Sequence, residues 1–201
     1  MSSDLANLFA PLVMFAIAAA ITPGPNNIML TASGANYGFV RTVPHMLGIV
    51  AGFCLLLLAI SAGLGILFER YPGVQTALKI AGSIYLCYFA WRIATARSNN
   101  SEADGSKPFS FCQAAGFQFI NPKGWLMALS AMSAFTLSGD RYTASVSVLI
   151  FVFLCVTGIS VAVWAGFGTA IGRWLKTPIR FRVFNVTMGM LTAGSIGLLF
   201  V

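Results

Sequence analysis

The chain has 201 residues, 58% hydrophobic and 8% charged, with 12 Lys+Arg against 5 Asp+Glu. Its mean hydropathy is +0.84. A soluble domain carries about 25% charged residues, so this composition excludes a soluble globular protein and, by its apolar content, a disordered one. The formal charge of +7 does not point to nucleic acid. The basic residues punctuate apolar runs and form no stripe on a polar helix.

In chain order, 36 residues without formal charge separate Asp4 from Arg41, and about 18 apolar residues suffice to flag a membrane span. This interval predicts a first helix over 5–34. The N-terminal Met1-Ser2-Ser3-Asp4 has no positive charge, so the segment is not expected to be a cleaved signal peptide. The 27 residues between Arg41 and Glu69 predict a second helix over 42–68. A third, over 74–96, carries Lys79 and Arg92 near opposite ends, where both heads reach an interface. A fourth, over 109–137, is apolar apart from Gln113, Gln118 and the interruption Asn121-Pro122-Lys123. The 31 residues between Arg141 and Arg173 and the 19 after Arg182 give a fifth over 144–172 and a sixth over 180–200. Tyr37, Tyr71, Trp91 and Trp174 stand at span ends, as interfaces favour. Cys54, Cys87, Cys112 and Cys155 have unrelated spacings and form no CxxC, which predicts neither a disulfide frame nor a metal site.

The expected fold class is therefore an all-α membrane protein with six transmembrane helices in one domain, 1–201. The polar stretch 98–107 reads as a linker between a first repeat, about 1–97, and a second, about 108–201. Ile21-Thr22-Pro23 recurs as Ile120-Asn121-Pro122, and Ala81-Gly82-Ser83-Ile84 as Ala193-Gly194-Ser195-Ile196. Three helices per half invert the second half, the plan of many secondary transporters. Eight basic residues flank loops 1–2, 3–4 and 5–6 and three lie on the other side. The excess of Lys and Arg on the cytoplasmic side then puts both termini outside.

Helices 1 and 4 are expected to be broken at their proline motifs. Proline removes a backbone donor and clashes with the preceding turn. The interruptions Thr22-Pro23-Gly24-Pro25-Asn26-Asn27 and Asn121-Pro122-Lys123-Gly124 would free carbonyls before each break. They would also free amides after it, with a partial positive charge at each new helix start. Gly24-Pro25 and Asn121-Pro122 are good N-cap and N1 pairs. Unpaired backbone at membrane depth is tolerated only where it lines a cavity or is buried in protein, and paired broken helices point to a transport site. Lys123 lies about 14 residues into its run and should face an aqueous cavity or an anionic partner. No acidic residue lies in a predicted span, so its partner is either a substrate carboxylate or backbone carbonyls. His45, the one histidine, is a candidate proton relay or a packing residue. Gly48 and Gly52 fit close helix approach. Trp125, Tyr85, Trp164 and Asn185 are in-span groups that either line a pocket or pack.

The stretches Thr22 to Asn27, Ala35-Asn36-Tyr37-Gly38-Phe39 and Pro44-His45-Met46-Leu47-Gly48 resemble the opening signature of the LysE/RhtB family of amino-acid exporters. Lys79 to Leu86 with Trp91-Arg92 is similar to its third helix, and Phe119-Ile120-Asn121-Pro122-Lys123 to the motif that opens its second half. The resemblance extends over nearly the whole chain and is nearer the homoserine/threonine/cysteine-type efflux branch than the lysine exporter. It implies secondary-active, proton-coupled export of small amino acids or their derivatives across the bacterial inner membrane by a multi-pass antiporter. The expected partners are a small amino-acid substrate and membrane lipid, with no nucleic acid and a homodimer left open. No cofactor, metal or enzymatic activity is expected: there is no P-loop, and one histidine without a buried acid supplies no nucleophile–base set. The candidate substrate-binding residues are Thr22, Pro23, Gly24, Pro25, Asn26, Asn27, Asn121, Pro122 and Lys123. The carboxylate would sit near Lys123 and the free amides, and the ammonium near the carbonyls of Ile21 to Pro23 with Asn26 and Asn27. The competing readings are a passive channel, which would want a continuous polar lining, and a metal or inorganic-ion exporter, which would want clustered His, Cys or carboxylates.

Overall fold

The computed structural model describes residues 3–96 and 107–197, and among them every regular element is helical. The linker expected over 98–107, apart from Lys107, and the end of the sixth helix past residue 197 lie outside the described residues.

The first apolar run forms α1 (Ser3–Ile21) and α2 (Pro25–Tyr37), bent by 57° at the break between them. Gly24 has extended backbone as the N-cap and Pro25 opens α2, where its missing N–H and fixed φ fit the helix start. Gly38 (φ 80°) ends α2 and its N–H returns to the Gly34 carbonyl, a left-handed cap that glycine adopts without a Cβ penalty. Next comes α3 (Phe39–Ala59), continued by a π-helical turn, Ile60–Leu64, and by α4 (Gly65–Arg70). The kink sits at Gly63 (φ 102°). Opposite it, Tyr142 Oη donates to the Ser61 carbonyl at 2.9 Å.

A proline at the first turn opens α5 (Pro72–Ala94), and Ser110 and Gln113 close a reciprocal capping box on α6 (Phe111–Gln118), which satisfies two otherwise orphan donors. After a break, α7 (Pro122–Phe135) starts from Asn121. Two further helices complete the chain: α8 (Tyr142–Gly172), 31 residues long, and α9 (Pro178–Gly194), capped by Thr177. These segments fall within a few residues of the six predicted runs, except that the last ends sooner.

Phe39–Leu64, with 26 residues and mean hydropathy 2.5, and Gly139–Gly172, with 34 residues and 2.7, are long and apolar enough to cross a membrane. The bent pair Asn7–Ile21 and Pro25–Tyr37 adds a third crossing if it is one span. The protein is thus an all-helical, multi-pass membrane protein.

Backbone contacts join the halves. At Gly168 in α8 a Cβ would collide with the Thr31 carbonyl oxygen of α2, and at Gly34 one would collide with the Ala165 carbonyl oxygen of α8. Gly48 and Gly52 of α3 meet the Phe111 and Ala115 carbonyls of α6 in the same way, so the small residues noted in sequence do serve close approach. Association in lipid lacks a hydrophobic driving force, and contacts of this kind let backbones pack directly. Two of the three apolar clusters among the described residues concern the site. One joins Leu12 and Ala16 of α1 to Phe53, Leu56, Ala128, Leu149 and Phe153. The other joins Leu30, Met46, Ile49, Ala114, Val161 and Ala165.

Candidate functional site

The two breaks lie side by side around one cavity of about 50 Å³, room for one or two waters at about 30 Å³ each. Its apolar walls come from both clusters: Phe53 belongs to one, Ile49 and Val161 to the other. The cavity lies between them, its surface mostly apolar with a few polar side chains reaching it. Gly24, Asn26 and Asn27 line it from the first break, and Asn121, Lys123 and Gly124 from the second. Neither α2 nor α7 has a side-chain cap, so two helix starts, each with partial positive charge, border the same space. Among the described residues, no acidic side chain lines it, and Lys123 is the titratable group that does.

Side chains hold the carbonyls released at the first break. Asn27 Nδ2 donates to the Ala20 and Thr22 carbonyls, both at 2.9 Å. Ser160 Oγ of α8 donates to the Ala20 carbonyl at 2.9 Å. Lys123 Nζ donates to the Thr22 carbonyl at 2.5 Å. Unpaired backbone at membrane depth is costly; here each of these carbonyls accepts two bonds. Lys123 runs across Gly24, where a Cβ would meet its Cδ at 2.7 Å. Gly24 has φ −167°, so glycine is required there by this crossing and not by its backbone angles. Asn26 and Gln118 exchange amide bonds, Asn26 Nδ2 to Gln118 Oε1 at 2.8 Å and Gln118 Nε2 to Asn26 Oδ1 at 3.3 Å, tying the start of α2 to the end of α6.

The structure therefore gathers Gly24, Asn26, Asn27, Asn121 and Lys123 on one cavity. Thr22 contributes its carbonyl through Lys123 and Asn27. Pro23 is exposed and Pro25 is buried at the start of α2, neither lining the cavity. Pro122 borders a separate groove beside Leu78 and Leu126. His45 is fully buried and stacks on Phe109 at 4.7 Å between ring centroids. Neither of its nitrogens has a hydrogen-bond partner, and it does not line the cavity. Of the other in-span groups, Asn185 exchanges amide bonds with Asn36 at 2.8 and 3.0 Å, Trp125 donates to the Phe119 carbonyl, and Tyr85 donates to the Gln113 carbonyl. Trp164 packs against the Leu30–Ala165 cluster.

Sequence reading missed Gln118, Thr157 and Ser160 as cavity residues. Gln118 had a signal, an amide in an otherwise apolar run three residues before the break. Thr157 and Ser160 had none, because small hydroxyls recur throughout α8.

A family model, the LysE type translocator, matches residues 17–201. The cysteine/O-acetylserine efflux proteins of Escherichia coli and of Shigella flexneri are each 33% identical to this chain over 142 residues, covering 68% of it and 71% of the relative. No solved structure matches significantly. The chain belongs to the LysE translocator family, whose members are transporters and not enzymes.

Proposed function

We propose that this protein is a secondary-active exporter of small amino acids or their derivatives in the bacterial inner membrane. The carrying observation is the convergence of two uncapped helix starts and one lysine on a single cavity. That arrangement suits a carboxylate, which meets oriented amides and a cation together. The relatives named for cysteine and O-acetylserine efflux support a substrate of that size. The cavity, with room for about one or two waters, must widen to take even a small solute.

Substrate binding and conformational change are linked through Lys123. An ammonium at membrane depth with only neutral partners is costly, and a substrate carboxylate is a better partner than the Thr22 carbonyl. When Lys123 turns to the carboxylate, the first break loses a tie to the second half. The halves then rock about the cavity, the six helical segments acting as two inverted repeats with both termini outside.

Exchange against protons belongs to the same proposal. Its proton passes through Lys123 or the substrate, since Lys123 is the titratable group of the cavity wall. His45, buried against Phe109, suits a packing role.

The test is uptake of labelled cysteine, O-acetylserine, threonine and homoserine into inside-out vesicles or proteoliposomes, with and without a pH gradient. Selective uptake of one or two, increased by the gradient, is the expected result. Non-selective flux would replace the exporter with a passive channel. Reporters fused to either terminus test the orientation and should be active only outside.

A further inference from the structure

The polar atoms of the cavity wall divide into those already committed and those left over. Asn26 and Gln118 satisfy each other. Asn27 and Ser160 are held on the carbonyls of the first break, and Lys123 on Thr22. Two buried oxygens have no partner: Asn121 Oδ1, on a residue 3% exposed, and Thr157 Oγ1, on one 9% exposed. Both residues line the cavity, one from the start of α7 and one from the middle of α8. An amide oxygen only accepts, and a threonine hydroxyl accepts as readily as it donates. Leaving both unpaired away from water is unfavourable.

We propose that Asn121 Oδ1 and Thr157 Oγ1 receive the ammonium group of the transported amino acid, so that Thr157 is a specificity-determining residue. The inference rests on the exporter reading above and deepens it. An ammonium brings three donors and no acceptor, the complement of two acceptor oxygens. Asn121, Lys123 and Thr157 line the same cavity, and the ammonium and carboxylate of an α-amino acid share one carbon. A ligand whose carboxylate lies at Lys123 therefore has its ammonium in that cavity too. This places the ammonium at the second break and α8, and not at the Thr22 carbonyl, which Asn27 still holds once Lys123 has turned to the carboxylate.

The experiment uses inside-out vesicles carrying the full chain, L-cysteine as labelled probe, and two competitors each lacking one group. They are 3-mercaptopropionate, without the ammonium, and cysteamine, without the carboxylate. Should the vesicles carry threonine instead, 3-hydroxybutyrate and 1-aminopropan-2-ol are the matching pair. Thr157→Val should raise KM for the amino acid about tenfold or more, as loss of a bond to a charged group does. The inhibition constant of the ammonium-less competitor should not change, and Thr157→Ser should restore the wild-type KM. An unchanged KM in Thr157→Val overturns the assignment. So does equal weakening of both ligands, which marks a packing defect. If wild-type vesicles carry none of the amino acids, the exporter reading itself falls, a result distinct from a transporting Thr157→Val protein with unaltered selectivity.

Discussion

Lys123 donates from Nζ to the carbonyl of Thr22, 101 residues earlier in the chain, so the cation of the second break closes the first. The bond satisfies a carbonyl that the proline motif releases and holds the charge where a carboxylate can displace it. Lys123→Gln removes the charge but keeps a donor. It should insert normally and cut transport efficiency roughly ten- to a hundredfold, the value of a charge-assisted hydrogen bond. Initial uptake rates at subsaturating substrate measure this; wild-type rates in Lys123→Gln would dismiss the carboxylate site.

Two glycines separate site from scaffold. Gly24 lies under the far end of the Lys123 side chain, a flexible neighbour, whereas Gly168 lies against the Thr31 backbone. Gly24→Ala should therefore leave thermal stability in detergent nearly unchanged while lowering transport, because the new methyl pushes Lys123 off Thr22. Gly168→Ala should destabilise by about 1–3 kcal/mol, since overpacking against backbone cannot relax by a rotamer change. Matched melting curves and uptake rates of the two variants would separate these effects, and equal losses of stability would count against the assignment.

The Asn26–Gln118 pair joins the two breaks by reciprocal bonds. Removing one amide leaves the other buried without that partner, and removing both leaves neither stranded. A double-mutant cycle of Asn26→Ala and Gln118→Ala, followed by thermal unfolding, should yield a coupling energy of about 1 kcal/mol. Strictly additive losses would mean that the pair does not hold the breaks together.

The helical segments were legible because charges and prolines punctuate the chain: Arg41, Glu69, Arg141 and Arg173 bound long apolar runs, and Pro25 and Pro122 restart helices after each break. The π-helical turn at Ile60–Leu64 was not legible, because Gly63 is one glycine among 20 and nothing beside it in sequence marks its positive φ. At the site, proline and asparagine chemistry pointed to the breaks themselves. The contribution of α8 stayed hidden, because nothing local distinguishes Ser160, which holds the Ala20 carbonyl, from Ser147, which bonds its own helix at Thr143. The choice between a carboxylate and a carbonyl for Lys123 also required a contact across 101 residues, which no periodicity encodes.

His45 offers the cleanest test of where proton coupling does not run. Its ring is fully buried, stacked on Phe109, and offers both nitrogens to no partner, so its contribution is shape. Phenylalanine supplies a flat ring without a titratable nitrogen, larger by little more than one methylene, and overpacking of that size costs about 1–3 kcal/mol. His45→Phe should therefore still fold, with at most that loss of stability, and keep the full pH dependence of uptake. His45→Ala should lose about 2 kcal/mol or more of stability, because a cavity replaces the ring. Uptake by both variants, measured across a series of imposed pH gradients beside the wild type, decides the point. A flat pH response in a stably folded His45→Phe protein would return His45 to the proton path.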